Sequence, residues 1–147
     1  MPDEAEDELA QYNERMAGAI GGALPMRFEE VTKDRVVMTM VVDHRVHQPM
    51  GVLHGGASLV LAESAASTGA NLACAEGMVA LGQEINANHI RAKRDGIVRA
   101  TAVPVHIGRT SQVWTVDIRD EAGKLICTSR CTLAVVPLPP GLQPLRG

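Results

Sequence analysis

The spacing of apolar positions changes twice along the chain. Over residues 3 to 20, Leu9, Tyr12, Met16, Ala19 and Ile20 recur three and four residues apart, with acidic residues crowding the first turns. That spacing predicts a surface helix, which "GGALP" at 21 to 25 ends. From Met26, "MRFEEVTKDRVVMTMVVD" reads as two strands turning at Thr32-Lys33-Asp34. A loop containing Gly, Pro and His follows from Asp43 to Val52. A long helix is then expected at about residues 55 to 75, dense in alanine, opened by Gly55-Gly56 and closed by Gly77. It is apolar on most faces, so it should be largely buried.

Beyond Gly77 the pattern is that of strands. "MVALGQEINANHIRAKR" offers one strand running into a polar stretch, and in "GIVRATAVPVHIG" Pro104 hints at a bulge or an edge. "TSQVWTVDIRDEAGKLICTSRCTLAVVP" is a hairpin. Trp114, Val116 and Ile118 alternate with Thr115, Asp117 and Arg119 ahead of a turn at Glu121-Ala122-Gly123. Pro137, Pro139, Pro140 and Pro144 mark an irregular tail. The expected architecture is α+β: an antiparallel sheet of five to six strands wrapped around one long central helix, plus an N-terminal helix. The expected divisions are an N-terminal helical segment at 1–24, a domain at 25–136 and a Pro-rich tail at 137–147.

Composition narrows the function classes. A net charge of −3 offers no basic surface for nucleic acid, and no apolar run approaches a membrane span. The acidic N-terminus is unlike a signal peptide, so a cytoplasmic protein is expected. Cys74, Cys127 and Cys131 lack metal-type spacing and read as reduced core thiols. Only 2% of residues are aromatic, so the core must be aliphatic, and Trp114 is expected inside it. His44, His47 and His54 share a loop without a Cys, Asp or Glu at ligand spacing. No metal and no cofactor is expected there.

"GVLHGGASLVLAESAAS" with Gln48 upstream, then "NHIRAKR", then "HIGRTSQVWTVDI", occur in that order. Together they resemble the hotdog-fold acyl-CoA thioesterases, in particular the PaaI-like branch with its 4-hydroxybenzoyl-CoA and 1,4-dihydroxy-2-naphthoyl-CoA hydrolases. The resemblance spans roughly residues 25 to 136. It implies hydrolysis of an acyl-CoA thioester, with an aromatic acyl group expected first and a short or medium aliphatic one second. It also implies CoA-binding segments at Gly82, at His89, Ile90, Arg91 and Ala92, and at His106, Ile107, Gly108, Arg109, Thr110 and Ser111. Assembly of dimers into a homotetramer is implied as well.

The residues suit that chemistry. The first amides of a helix have no intrahelical partner and carry partial positive charge. Gly55 and Gly56 would let a thioester oxygen come close to one of them. His54 and Gln48 could orient the carbonyl or hold the attacking water. Glu63, flanked by "LVLA" and "SAAS" with no Lys or Arg one helical turn away, is the expected general base or nucleophile. Ser67 and Asn71 continue its stripe beside Ser64 and Thr68, and these four are the expected acyl-contacting residues. Arg91, Lys93, Arg94 and Arg109 stand near glycines and suit phosphate. Gly55 and Glu63 are eight residues apart, roughly 12 Å along a helix. Spacing therefore predicts a symmetric dimer of antiparallel helices with two shared sites. The competing expectation is a hotdog protein that binds acyl-CoA without cleaving it. A hotdog dehydratase is disfavoured, because Pro49 stands where its aspartate would be needed.

Overall fold

The computed structural model describes residues 3–145. Met1 and Pro2 of the expected N-terminal segment, and Arg146 and Gly147 of the expected tail, lie outside the described residues. The elements run α1 (Glu4–Ala17), β1 (Met26–Val31), β2 (Val36–Val41), α2 (Gly55–Ala73), β3 (Met78–His89), β4 (Ile97–Ile107), β5 (Ser111–Asp120) and β6 (Leu125–Pro137), with 3-10 turns at Ile20–Gly22 and His44–Val46. All strand pairings are antiparallel, in the order β1-β2-β4-β5-β6-β3. The expected α+β architecture is the one observed, with six strands in the sheet.

Asp3 caps α1, and Glu4, Glu6 and Asp7 complement its positive end. Gly18 makes the last α-type bond, to the Glu14 carbonyl at 3.1 Å, and Ala19 then leaves helical geometry (φ −125°, ψ −137°), so α1 stops at Ala17 instead of reaching residue 20 as the spacing suggested. The helix rests on the sheet margin at β1. Tyr12 and Phe28 meet with ring centroids 5.9 Å apart. Asn13 completes the contact as a neighbouring strand would: its Nδ2 donates to the Phe28 carbonyl at 3.0 Å, and its Oδ1 accepts the Phe28 N–H at 2.7 Å. The opposite margin, β3, has no such cover among the described residues, and Leu81 on it is exposed.

α2 lies on the concave face of the sheet. Leu61, Ala62, Ala65, Ala66 and Ala70 are fully buried. Small side chains here let the sheet approach closely. A Cβ on Gly69 would stand 2.5 Å from the Trp114 ring, which is itself fully buried, as expected. The Trp114 indole N–H reaches Gln112 Oε1 at 2.8 Å, and Gln112 Nε2 donates to the Ala70 carbonyl at 3.0 Å. Buried Gln112 thereby bonds sheet to helix with its polar atoms satisfied. The sheet covers α2 on one side only, and Leu59, Val60, Glu63, Ser64 and Ser67 form a stripe that stays partly exposed.

Two sequence expectations took a more specific form. The Pro104 irregularity is a bulge, because the β4–β5 register shifts between Pro104 and His106. The polar run after Gln83 stays in the sheet instead of leaving it. β3 pairs with β6 as far as His89 opposite Cys127, with Ile85 and Ala87 packed on the core and Asn86 and Asn88 outward.

Candidate active site

His54 is the N-cap of α2. Its Nδ1 accepts the Gly56 N–H at 2.8 Å, which leaves the ring proton on Nε2. The His54 carbonyl takes the Ala57 N–H at 3.0 Å and the Ser58 N–H at 3.3 Å. Of the four amides in the first turn, Gly55 N–H is then the one without an acceptor among the described residues. The His89 ring lies over it, with Nε2 only 2.8 Å from where a Cβ on Gly55 would be. Glycine at 55 therefore makes room for an imidazole from β3 as well as for a ligand.

Gln48 sits in the preceding loop, held by its N–H to the Val52 carbonyl at 2.8 Å and by the Gly51 N–H to its own carbonyl at 2.9 Å. Its side-chain Oε1 accepts the Met50 N–H. With that oxygen occupied, the Nε2 amine is the end left to donate. A cavity of about 360 Å³ brings Gln48 and Gly55 together with His89, Ile90, Arg91 and Ala92. Met50, 83% exposed, and buried Ser58 also line it. The sequence reading missed both. An exposed methionine in a glycine-bounded loop was the available signal for the first, and Ser58 looked like any small helix residue.

Glu63 lies at a different place. Its carboxylate packs against β3 at Gly82, where a Cβ would collide with Oε1. No ion pair or hydrogen bond holds it among the described residues, so it is a bare, half-buried carboxylate. Gly82 stands beside the carboxylate and not with His89. The His106 to Ser111 turn sits at the same end of the sheet, since both Ser111 and Leu81 pair with Ala134. Seven residues of β3 separate Gly82 from His89, roughly 23 Å at ~3.3 Å per residue. Of the three expected CoA-binding segments, the one at His89 to Ala92 is therefore not brought together with Gly82 and the His106 to Ser111 turn within one chain.

The remaining expected site residues divide. Ser64 and Ser67 lie on the half-exposed stripe with Glu63. Thr68 Oγ1 is spent on the Ser64 carbonyl at 2.8 Å. Asn71 is spent in full: Nδ2 donates to the carbonyls of Ser67 and Ala80, and Oδ1 accepts the Ala80 N–H. Among the basic residues, Arg91 and Arg109 are exposed and make no ion pair among the described residues. Lys93 is already engaged, with its Nζ 2.5 Å from Glu121 Oε1. That contact raises the Lys93 pKa and lowers Glu121 to about 2, helped by the amides of Glu121 and Ile97. Glu121 tethers the loop after β3, an arrangement hidden from the sequence because 28 residues lie between the partners.

Cys74, Cys127 and Cys131 are buried, and none forms a disulfide among the described residues. Burial, then the negative charges of Glu63 and Glu84, push Cys131 up to about 11. Among the described residues no helix is long and apolar enough to cross a membrane.

The Thioesterase superfamily profile matches residues 50–127. The chain is 47% identical over 129 residues to the 1,4-dihydroxy-2-naphthoyl-CoA hydrolase of Escherichia coli, spanning 87% of this chain and 94% of that protein. A thioesterase from Haemophilus influenzae superposes with a TM-score of 0.85 at 42% identity, covering 92% of this chain and 94% of the other. The Staphylococcus aureus thioesterase, in a variant with alanine replacing a glutamine, superposes with a TM-score of 0.76 at 39% identity, covering 80% and 98%. The same protein is known with alanine replacing a glutamate.

Proposed function

The chain belongs to the thioesterase superfamily and is an acyl-CoA thioester hydrolase, and from that premise we propose that each of its active sites is shared between two copies. One observation carries the reading: a protomer holds two separate half-sites. Gln48, His54, Gly55 and His89 to Ala92 make one, and Glu63, Ser67, Gly82 and the His106 to Ser111 turn make the other. Antiparallel packing of two α2 helices along the half-exposed stripe sets Glu63 of one protomer against Gly55 of its partner. It joins the His89 to Ala92 segment to Gly82 and the His106 to Ser111 turn across the same contact.

In that arrangement the thioester carbonyl lies between the free Gly55 N–H and the Gln48 Nε2 amine. Glu63 acts as general base, drawing a proton from the water that attacks the carbonyl carbon, or attacks as nucleophile to form a mixed anhydride that water hydrolyses after the thiolate has left. The negative oxygen is held by the amide and the helix terminus. The carbon–sulfur bond then breaks, and coenzyme A leaves as its thiolate. His54 holds the helix end open by taking the Gly56 N–H, so that Gly55 alone faces the substrate. Arg91 of one protomer and Arg109 of the other meet the CoA phosphates. The chain interval between the substituted glutamine and glutamate of the Staphylococcus aureus protein equals that between Gln48 and Glu63, which supports their pairing in one reaction.

The acyl group is aromatic on this reading, by similarity to the dihydroxynaphthoyl-CoA hydrolase. Dimers assemble into tetramers, and three buried cysteines outside any disulfide suit the reducing cytoplasm. Subunit mixing tests the shared site. Glu63→Gln and Gly55→Val are each expected to be inactive on benzoyl-CoA. Equal mixtures, dissociated and reassembled, should recover about a quarter of wild-type activity, because half of the dimers carry one intact site. Dimers that form without recovering activity, or a chain that stays monomeric, would refute it.

A further inference from the structure

Arg91 belongs to neither β3 nor β4, but to the irregular stretch of residues 90–96 between them. Such a stretch has no ladder of its own, so whatever holds Arg91 in place must come from outside it. The β5–β6 hairpin supplies the hold. At the near end, the Ile126 carbonyl accepts the Ile90 N–H at 2.8 Å and the Arg91 N–H at 3.3 Å. At the far end, Glu121 Oε2 accepts the Ile97 N–H at 3.2 Å, and Glu121 Oε1 pairs with Lys93 Nζ at 2.5 Å. Gly96 makes the second contact possible. Its φ is +81°, and a Cβ there would collide with Glu121 Oε2.

The opposite side of the stretch braces the loop that carries Gln48. The Leu53 N–H donates to the Lys93 carbonyl at 2.7 Å, and His47 Nε2 lies 2.6 Å from the Arg94 carbonyl.

We propose that Glu121 and Lys93 are positioning residues for coenzyme A: their ion pair sets the 90–96 stretch so that Arg91 meets the CoA phosphates. The inference rests on the thioesterase reading above. Two observations support it. The Lys93 side chain is only 16% exposed, which suits a tether and does not suit a lysine offered to phosphate. Arg91, by contrast, is exposed and makes no ion pair among the described residues. Without the tether, Arg91 would have to order its own loop each time a phosphate binds. The pair therefore acts on the binding of the nucleotide end and not on the reaction at the carbonyl. A pair of this exposure shifts an equilibrium by up to about fivefold.

The experiment measures kcat and KM of the full chain on benzoyl-CoA and on benzoyl-N-acetylcysteamine, which has the same thioester and no phosphate. The variants are Glu121→Gln, Lys93→Met and Lys93→Arg, with Tm recorded for each. Glu121→Gln and Lys93→Met should each raise KM for benzoyl-CoA about two- to fivefold with kcat unchanged. Neither should alter kcat/KM for the phosphate-free thioester. Lys93→Arg keeps the pair and should keep the wild-type KM. If Lys93 instead bound phosphate directly, Glu121→Gln would free its ammonium and lower KM, which overturns the inference. A KM unchanged in both variants overturns it too. So does an equal loss on both substrates, with or without a fall in Tm, because a brace of the fold alone would weaken both. All three results leave the thioesterase reading standing, whereas a wild type that hydrolyses neither thioester overturns both.

Discussion

Replacing Gly55 with alanine separates folding from chemistry at one position. The added Cβ would stand 2.8 Å from His89 Nε2 and 3.0 Å from Cε1, inside ordinary contact distance. His89 is an exposed side chain and can turn aside at about 0.5–1.5 kcal/mol. The backbone adds no strain, since Gly55 is not among the positive-φ glycines. Alanine is the better helix former by about 1 kcal/mol. These terms nearly cancel, so stability should stay within ~1 kcal/mol of wild type and Tm within roughly 2–4 °C. Activity should behave differently. The Cβ and the displaced imidazole crowd the approach to the free amide, and losing one oxyanion donor costs about 10²–10³ in kcat. Thiol release from benzoyl-CoA reads the chemistry cleanly, because the protein's own thiols are buried and Cys131 is held at about 11. Calorimetry reads the fold. A folded variant with kcat within threefold of wild type would refute Gly55 N–H as the donor. A collapse in Tm would show the glycine to be a packing requirement first.

Gln112→Leu should destabilise the protein by roughly 1–3 kcal/mol, because it leaves the buried Trp114 N–H without its acceptor; unchanged denaturant unfolding would refute this. The Glu121 carboxyl, lowered from 4.5 to about 2 chiefly by Lys93, should titrate near pH 2 by NMR in the folded protein. Its folded pKa is the depressed one, so the tether it provides is fully present above about pH 4.5 and is lost as the pH falls through 2. A midpoint near 4.5 would show that the contact with Lys93 does not persist in solution.

Much of the fold was legible because its signals are local. The Pro104 bulge follows from neighbours in sequence, as do the Trp114–Ile118 alternation and the alanine-rich helix, whereas the stop at Gly18, short of the expected residue 20, was not read from them. The helix-borne parts of the candidate site were legible for the same reason, since His54, Gly55 and Glu63 are placed by the periodicity of one element. What escaped was set by topology. Lys93 looked free for phosphate until a carboxylate on the β5–β6 turn took it. Thr68 and Asn71 looked available to a substrate, but a hydroxyl can turn to its own helix, and the first residues of β3 return close enough to occupy the amide. Nothing in the chain before α2 announces that β3 will cross to the far margin and lay His89 over Gly55.

The unequal treatment of the two sheet margins sets how far the molecule can grow. Asn13 closes one margin by mimicking a strand, and among the described residues nothing does the same for the other. A sheet with a single open border can accept one neighbour through it and then has none left to offer. Growth by that route terminates at a pair, where two open borders would have propagated into a fibre.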